Sequence, residues 1–118
     1  MQMEKIDKTI LYNNLLRLYG KLLSSTQYEI LTAYYNCDLS IGEIAIERGV
    51  SRAAIEDALQ KGCSKLDEFE NKLKLLKKED YLLKILAKMK EKHLNDEDFQ
   101  YIEQIERGLK HGIWITYR

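Results

Sequence analysis

Apolar residues open the chain at three- and four-residue intervals: Ile6, Ile10, Leu11, Leu15, Leu18, Tyr19, Leu22 and Leu23. That spacing predicts an amphipathic helix with one buried face, ending near Gly20 to Leu23. Ser24 followed three residues later by Gln27 reads as a capping box. It starts a second helix carrying Tyr28, Ile30, Leu31, Tyr34 and Tyr35, which the polar turn Asn36-Cys37-Asp38 closes.

The stretch from Leu39 to Leu59 then reads as a short helix, a tight turn and another helix. Ser40 and Glu43 form a second capping box, each side chain satisfying a free backbone N–H at the helix start. Gly49 supplies the turn, because a sharp exit from a helix favours a residue that tolerates positive φ. Ser51 caps the following helix through its hydroxyl. Ile44, Ala45, Val50, Ile55 and Leu59 fall where these helices must face each other and a third. The pattern is that of a helix-turn-helix.

The helix begun at Ser51 runs on. Ile55, Leu59, Cys63, Leu66, Phe69 or Glu70, Leu73 and Leu76 continue the stripe for about seven turns, with Gly62 a weak point costing roughly 1 kcal/mol relative to alanine. Its second half is expected to project beyond a core of residues 1–66, with 67–118 forming a helical extension. Tyr81, Leu82, Ile85, Leu86 and Met89 offer an antiparallel return. Asn95 is a strong N-cap for a last helix, Asp96, Glu97 and Asp98 complement its dipole, and Leu94 and Phe99 occupy staple positions. Ile102, Ile105 and Leu109 continue that stripe. The apolar tail Gly112 to Arg118, which carries Trp114, is expected to pack on its own protein or on a partner.

Composition sharpens this into an all-α protein. Across 118 residues there is no proline and only six glycines, with 45% apolar and 32% charged residues. The formal net charge is zero, which argues against an indiscriminate nucleic-acid binder. No apolar signal-peptide core and no run of roughly 18 apolar residues is present, so a cytoplasmic protein with no membrane partner is expected. Cys37 and Cys63 lack metal-ligand spacing and read as reduced core or near-core thiols.

Charge is nonetheless uneven. Between Lys72 and Lys92 eight lysines face three acids, whereas Asp96 to Glu106 holds five acids and no base. Either the acidic helix neutralises the basic region, or Lys72, Lys74, Lys77, Lys78, Lys84 and Lys88 contact RNA phosphates or an acidic protein.

No catalytic constellation is visible: the serines are explained as caps or surface residues, and neither histidine has a nucleophile or carboxylate at an informative spacing. The reading is therefore recognition without enzyme activity and with no cofactor. If Ile55, Ala58, Leu59 and Cys63 face the core, Arg52, Ala53, Glu56, Asp57, Gln60 and Lys61 face outward. Ser51, Arg52, Gln60, Lys61 and Lys65 are the nucleic-acid candidates, but Glu56 and Asp57 lie mid-face, where phosphates repel carboxylates.

The segment Leu23-Ser24, Gln27, Glu29-Ile30-Leu31, Tyr34-Tyr35, Asp38 to Ala45, Gly49-Val50-Ser51-Arg52 and Ile55 resembles region 4 of bacterial sigma factors. With the long tail included, it looks still more like the YlxM family of small bacterial proteins. The sigma likeness implies a three- to four-helix core with a long recognition helix, and a DNA-binding regulator as one function. The YlxM likeness implies an accessory role beside the signal recognition particle GTPase, touching that GTPase or its RNA. Sigma recognition helices carry arginine and glutamine where this chain has Ala54, Glu56 and Asp57, so Arg52 alone is carried over as a phosphate contact. A homodimer through the long helices is a third expectation.

Overall fold

A computed structural model describes residues 5–111, with side chains from residue 7 onward. Ile6 as a core position and the tail from Gly112 to Arg118 lie outside the described residues. The described chain is all-α: α1 Lys5–Tyr19, α2 Ser25–Leu31, α3 Ile41–Arg48, α4 Arg52–Leu73, α5 Leu75–Lys90 and α6 Asp96–His111. No described helix is long and apolar enough to cross a membrane. The chain divides into two compact units that meet between Leu76 and Lys77.

The first unit is built on most of the predicted apolar faces, although Ile10, Leu22 and Tyr28 of those stripes are exposed because they lie at the margins of the buried side. Leu15 and Tyr19 of α1, Ile30 and Leu31 of α2, Ile44 and Ala45 of α3, and Ile55, Leu59 and Leu66 of α4 share one buried cluster. Local signals set the helix starts. Ser24 accepts from the Gln27 N–H at 3.2 Å, but the predicted box is only half formed. The Gln27 amide oxygen instead accepts from Lys65 Nζ of α4.

The end of the second helix differs from its prediction. Residues Thr32–Asn36 widen into a π turn, in which Cys37 N–H donates to Thr32 O at 3.0 Å. Asn13 Nδ2 of α1 donates to Tyr35 O at 2.8 Å, and Asp38 leaves the turn at φ 58°. Aspartate is one of the few residues that adopts this left-handed conformation readily. The widened turn leaves Cys37 exposed instead of near the core, whereas Cys63 is half-buried.

Helix α4 spans 22 residues without interruption at Gly62. A Cβ there would lie 2.6 Å from Leu31 Cδ1, so the glycine marks a close approach of α4 to α2 and not a weak point. The second half of α4 does not project: Leu66 is fully buried, and the helix packs along α1. Tyr12 donates from its hydroxyl to Asp67 at 3.2 Å, and Tyr19 donates to Glu70 at 2.7 Å. The expected boundary at 66/67 therefore falls inside a helix that belongs to the first unit along its whole length.

The stripe to Leu76 is broken at Lys74, which takes φ 58° and ends α4. Helix α5 begins immediately afterwards, with its first N–H groups satisfied by side chains from elsewhere. Leu75 N–H donates to the Tyr19 hydroxyl at 3.1 Å and Leu76 N–H to Glu70 Oε1 at 3.0 Å. A buried phenol and one carboxylate thus do the work of an N-cap.

In the second unit the Asn95 cap forms as predicted, its side chain accepting from Asp98 N–H at 2.8 Å. Lys90 pairs with Glu106 and sits 5.0 Å over the Phe99 ring, joining α5 to α6. Leu86 and Ile102 are its buried large apolar side chains among the described residues, whereas Tyr81, Leu82, Ile85 and Met89 are exposed.

Candidate functional site

The helix-turn-helix forms as its sequence dictates. Ser40 Oγ accepts from Glu43 N–H at 3.1 Å, while Glu43 Oε1 accepts from Ser40 N–H at 3.2 Å. Gly49 adopts φ 68°, and Val50 N–H returns to Ala45 O at 3.0 Å, closing α3. Ser51 Oγ accepts from Ala54 N–H at 3.1 Å and starts α4. Ile44, Ala45, Ile55 and Leu59 are buried as expected, but Val50 is 45% exposed because it follows the glycine on the outer side of the turn. Ile46 is 85% exposed. Arg48 of α3 pairs with Glu29 of α2 at 3.1 Å and holds the short helix against its neighbour.

The outward face of α4 holds Arg52, Ala53, Glu56, Asp57, Gln60 and Lys61, all exposed as predicted. Part of this face, and of the candidates beside it, is engaged within the protein. Lys61 pairs with Asp57 at 3.0 Å, Lys65 is drawn to Gln27 at 3.3 Å, and the Ser51 hydroxyl is engaged as a cap. Glu56 stands exposed between Arg52 and Gln60. A phosphate backbone laid on this surface would meet two carboxylates and a lysine already neutralised.

The basic-region candidates are divided between the two units along the chain. Lys72 pairs with Glu68 at 2.9 Å and Lys74 forms the left-handed end of α4, both in the first unit. Lys77, Lys78, Lys84 and Lys88 belong to the second, where Lys84 pairs with Asp80 at 3.3 Å.

Sequence reasoning missed a groove of about 380 Å³ on the first unit, beside the start of α3. Lys8 of α1, Tyr34 and Tyr35 of the π turn, Asp38, Glu43 and Arg52 are among its lining residues. Arg52 thus faces this groove as well as the open side of α4. The aromatic wall is firmly held: Tyr34 meets Tyr35 edge-on at 4.9 Å, and Tyr35 stacks on Tyr12 at 5.1 Å. The Tyr35 hydroxyl lies 3.4 Å from Cys63 Sγ. Burial, then the neighbouring Cys63, pushes the Tyr35 phenol well above its usual range. Burial followed by Asp67 raises Tyr12 to about 12. The Cys63 thiol is also pushed up by burial, although the Tyr35 contact opposes the shift. Such a thiol is poorly suited to nucleophilic chemistry. No metal-binding cluster occurs among the described residues. The groove presents the cationic side chains of Lys8 and Arg52 beside a held aromatic ring.

Residues 6–106 match the model of the UPF0122 family, whose description reads "Putative helix-turn-helix protein, YlxM / p13 like". The chain belongs to this family. UPF0122 proteins of Bacillus thuringiensis (strain Al Hakam), Bacillus mycoides (strain KBAB4) and Bacillus anthracis (strain A0248) are each 39% identical over 107 residues. Those matches cover 86% of this chain and 97% of the relatives. No solved structure matches. Membership in the YlxM-like family agrees with the resemblance read from Leu23 to Ile55, and the family's description names a helix-turn-helix, not an enzyme.

Proposed function

We propose that this YlxM-like chain is a non-enzymatic, cytoplasmic accessory protein of the signal recognition particle that binds the particle's GTPase or its RNA. The observation that carries the reading is the outward face of α4. Asp57 neutralises Lys61 there, and Glu56 lies exposed beside Arg52, so the helix-turn-helix keeps its packing without a strongly basic reading surface. The likeness to YlxM proteins directs it to that particle. A second reading, a DNA-binding regulator, draws on Arg52 and Gln60, both exposed on the outward face of α4 and suited to phosphate and adenine contacts.

Titration of the full chain against the particle's RNA, its GTPase and random duplex DNA, at low and moderate salt, separates the two. Binding to the RNA or the GTPase without comparable duplex binding is expected. No binding to either at both salt concentrations would overturn the accessory role. Sequence-dependent duplex affinity with a steep salt slope that weakens in Arg52→Ala would favour the regulator.

A further inference from the structure

We propose that the groove beside α3 is a pocket for one unpaired nucleotide of RNA, with Tyr34 as the base platform and Lys8 and Arg52 on the flanking phosphates. The proposal rests on the reading of RNA as a ligand and adds where and how the strand is held.

Lys8 and Arg52 come from α1 and α4 and line the same groove, and neither makes an ion pair among the described residues. Lys61, Lys72 and Lys84, by contrast, each pair with an acidic residue one turn away. Tyr34 is half-buried and held edge-on by Tyr35, which is itself stacked on Tyr12. A ring fixed in this way offers a stacking surface at little entropic cost, and stacking on an aromatic flanked by cations is how single strands are commonly held. The volume of about 380 Å³ lies within the range of roughly 300–1,000 Å³ that small-molecule pockets occupy.

The acidic side chains lining the groove have distinct roles. Glu43 is engaged in the capping box and accepts from the Ser40 N–H. Asp38 is exposed, and its side chain makes no hydrogen bond or ion pair among the described residues. A carboxylate there repels phosphate but accepts hydrogen bonds from a base. Guanine presents two adjacent N–H donors on its Watson–Crick edge, which suits a bidentate acceptor. This donor–acceptor match favours guanine among unpaired bases, in a loop, bulge or end and not in a duplex.

Fluorescence anisotropy on the full chain tests this with the particle's RNA, a short single-stranded oligouridine with one central guanosine, and oligouridine alone, beside a parallel titration with the particle's GTPase. The guanosine probe should bind more tightly than oligouridine. Tyr34→Leu should weaken the guanosine probe about tenfold. Lys8→Ala and Arg52→Ala should each weaken both oligonucleotides and reduce the salt slope by about one. Asp38→Asn, which keeps a residue tolerant of positive φ, should abolish the preference for guanosine. Lys8→Ala is an exposed substitution, so the test stands even if Tyr34→Leu folds poorly. The particle's RNA binding wild type and variants equally would overturn the groove and leave the accessory role intact. GTPase binding with no RNA bound by wild type would do the same. Loss of both partners would overturn the groove and the accessory role together.

Discussion

Both units of this chain are built from helices with apolar stripes, yet they use them differently. In the first, α1 to α4 bury Leu15, Tyr19, Leu31, Ile44, Ile55 and Leu66 almost completely. In the second, α5 and α6 repeat apolar residues with comparable regularity but leave Tyr81, Leu82, Ile85, Met89 and Ile105 exposed. A helical period reports which residues share a face, and only a neighbouring surface turns that face into a core. Stability should therefore be concentrated before Leu76.

The largest expected effect follows from this contrast. Leu66→Ala or Ile55→Ala should cost about 3–5 kcal/mol, because each empties a fully enclosed site. Ile85→Ala or Tyr81→Ala should change stability by less than about 0.5 kcal/mol. Denaturant titration of the four variants compares the units directly, and equal losses in both would show that the second unit is packed as tightly as the first.

Gly62→Ala comes next. Helix propensity alone predicts a gain of roughly 1 kcal/mol, but the new methyl would meet Leu31, which is completely buried and closely surrounded. Overpacking should win, giving a net loss of about 1–3 kcal/mol. A variant that melts higher than wild type would show that α2 and α4 are less tightly apposed.

Alkaline titration probes the same core. Burial followed by the Glu70 hydrogen bond raises Tyr19 to about 12, and burial followed by Asp67 raises Tyr12 to about 12. Both phenols are held neutral by the fold, so their contribution is intact below pH of about 10, the unfolded value. It is lost as pH rises toward about 12. Phenolate absorbance should show these two tyrosines ionising late and together with unfolding.

Smaller still, Ser40→Ala should cost about 1 kcal/mol, since both halves of its capping box form. Ser24→Ala should cost less, because Gln27 is turned to Lys65 and only half a box is lost. Thermal melts of the two variants rank these caps.

What could be read from the sequence was local. Ser40 with Glu43, Gly49, Ser51 and Asn95 act within four residues of themselves, and each is placed as its spacing implies. The face of α4 is legible for the same reason. The rest depends on partners distant in sequence. Gly62 is explained only by Leu31. The break at Lys74 is stabilised by Tyr19, whose position against Glu70 and Leu75 no periodicity reveals. Lys8 reaches the groove only because α1 packs beside the π turn and α4. Arg52 was a visible candidate, but its companions Lys8, Tyr34 and Asp38 were not.

On the proposed function, the helix-turn-helix is a packing frame whose outward carboxylates suppress duplex binding. The most direct test is duplex affinity of the double variant Glu56→Gln with Asp57→Asn, measured beside wild type at several salt concentrations. Removing two negative charges and releasing Lys61 should raise duplex affinity several-fold and steepen its salt dependence. A double variant that binds duplex DNA no better than wild type, or a wild type that already binds tightly and loses affinity on this change, would contradict the account.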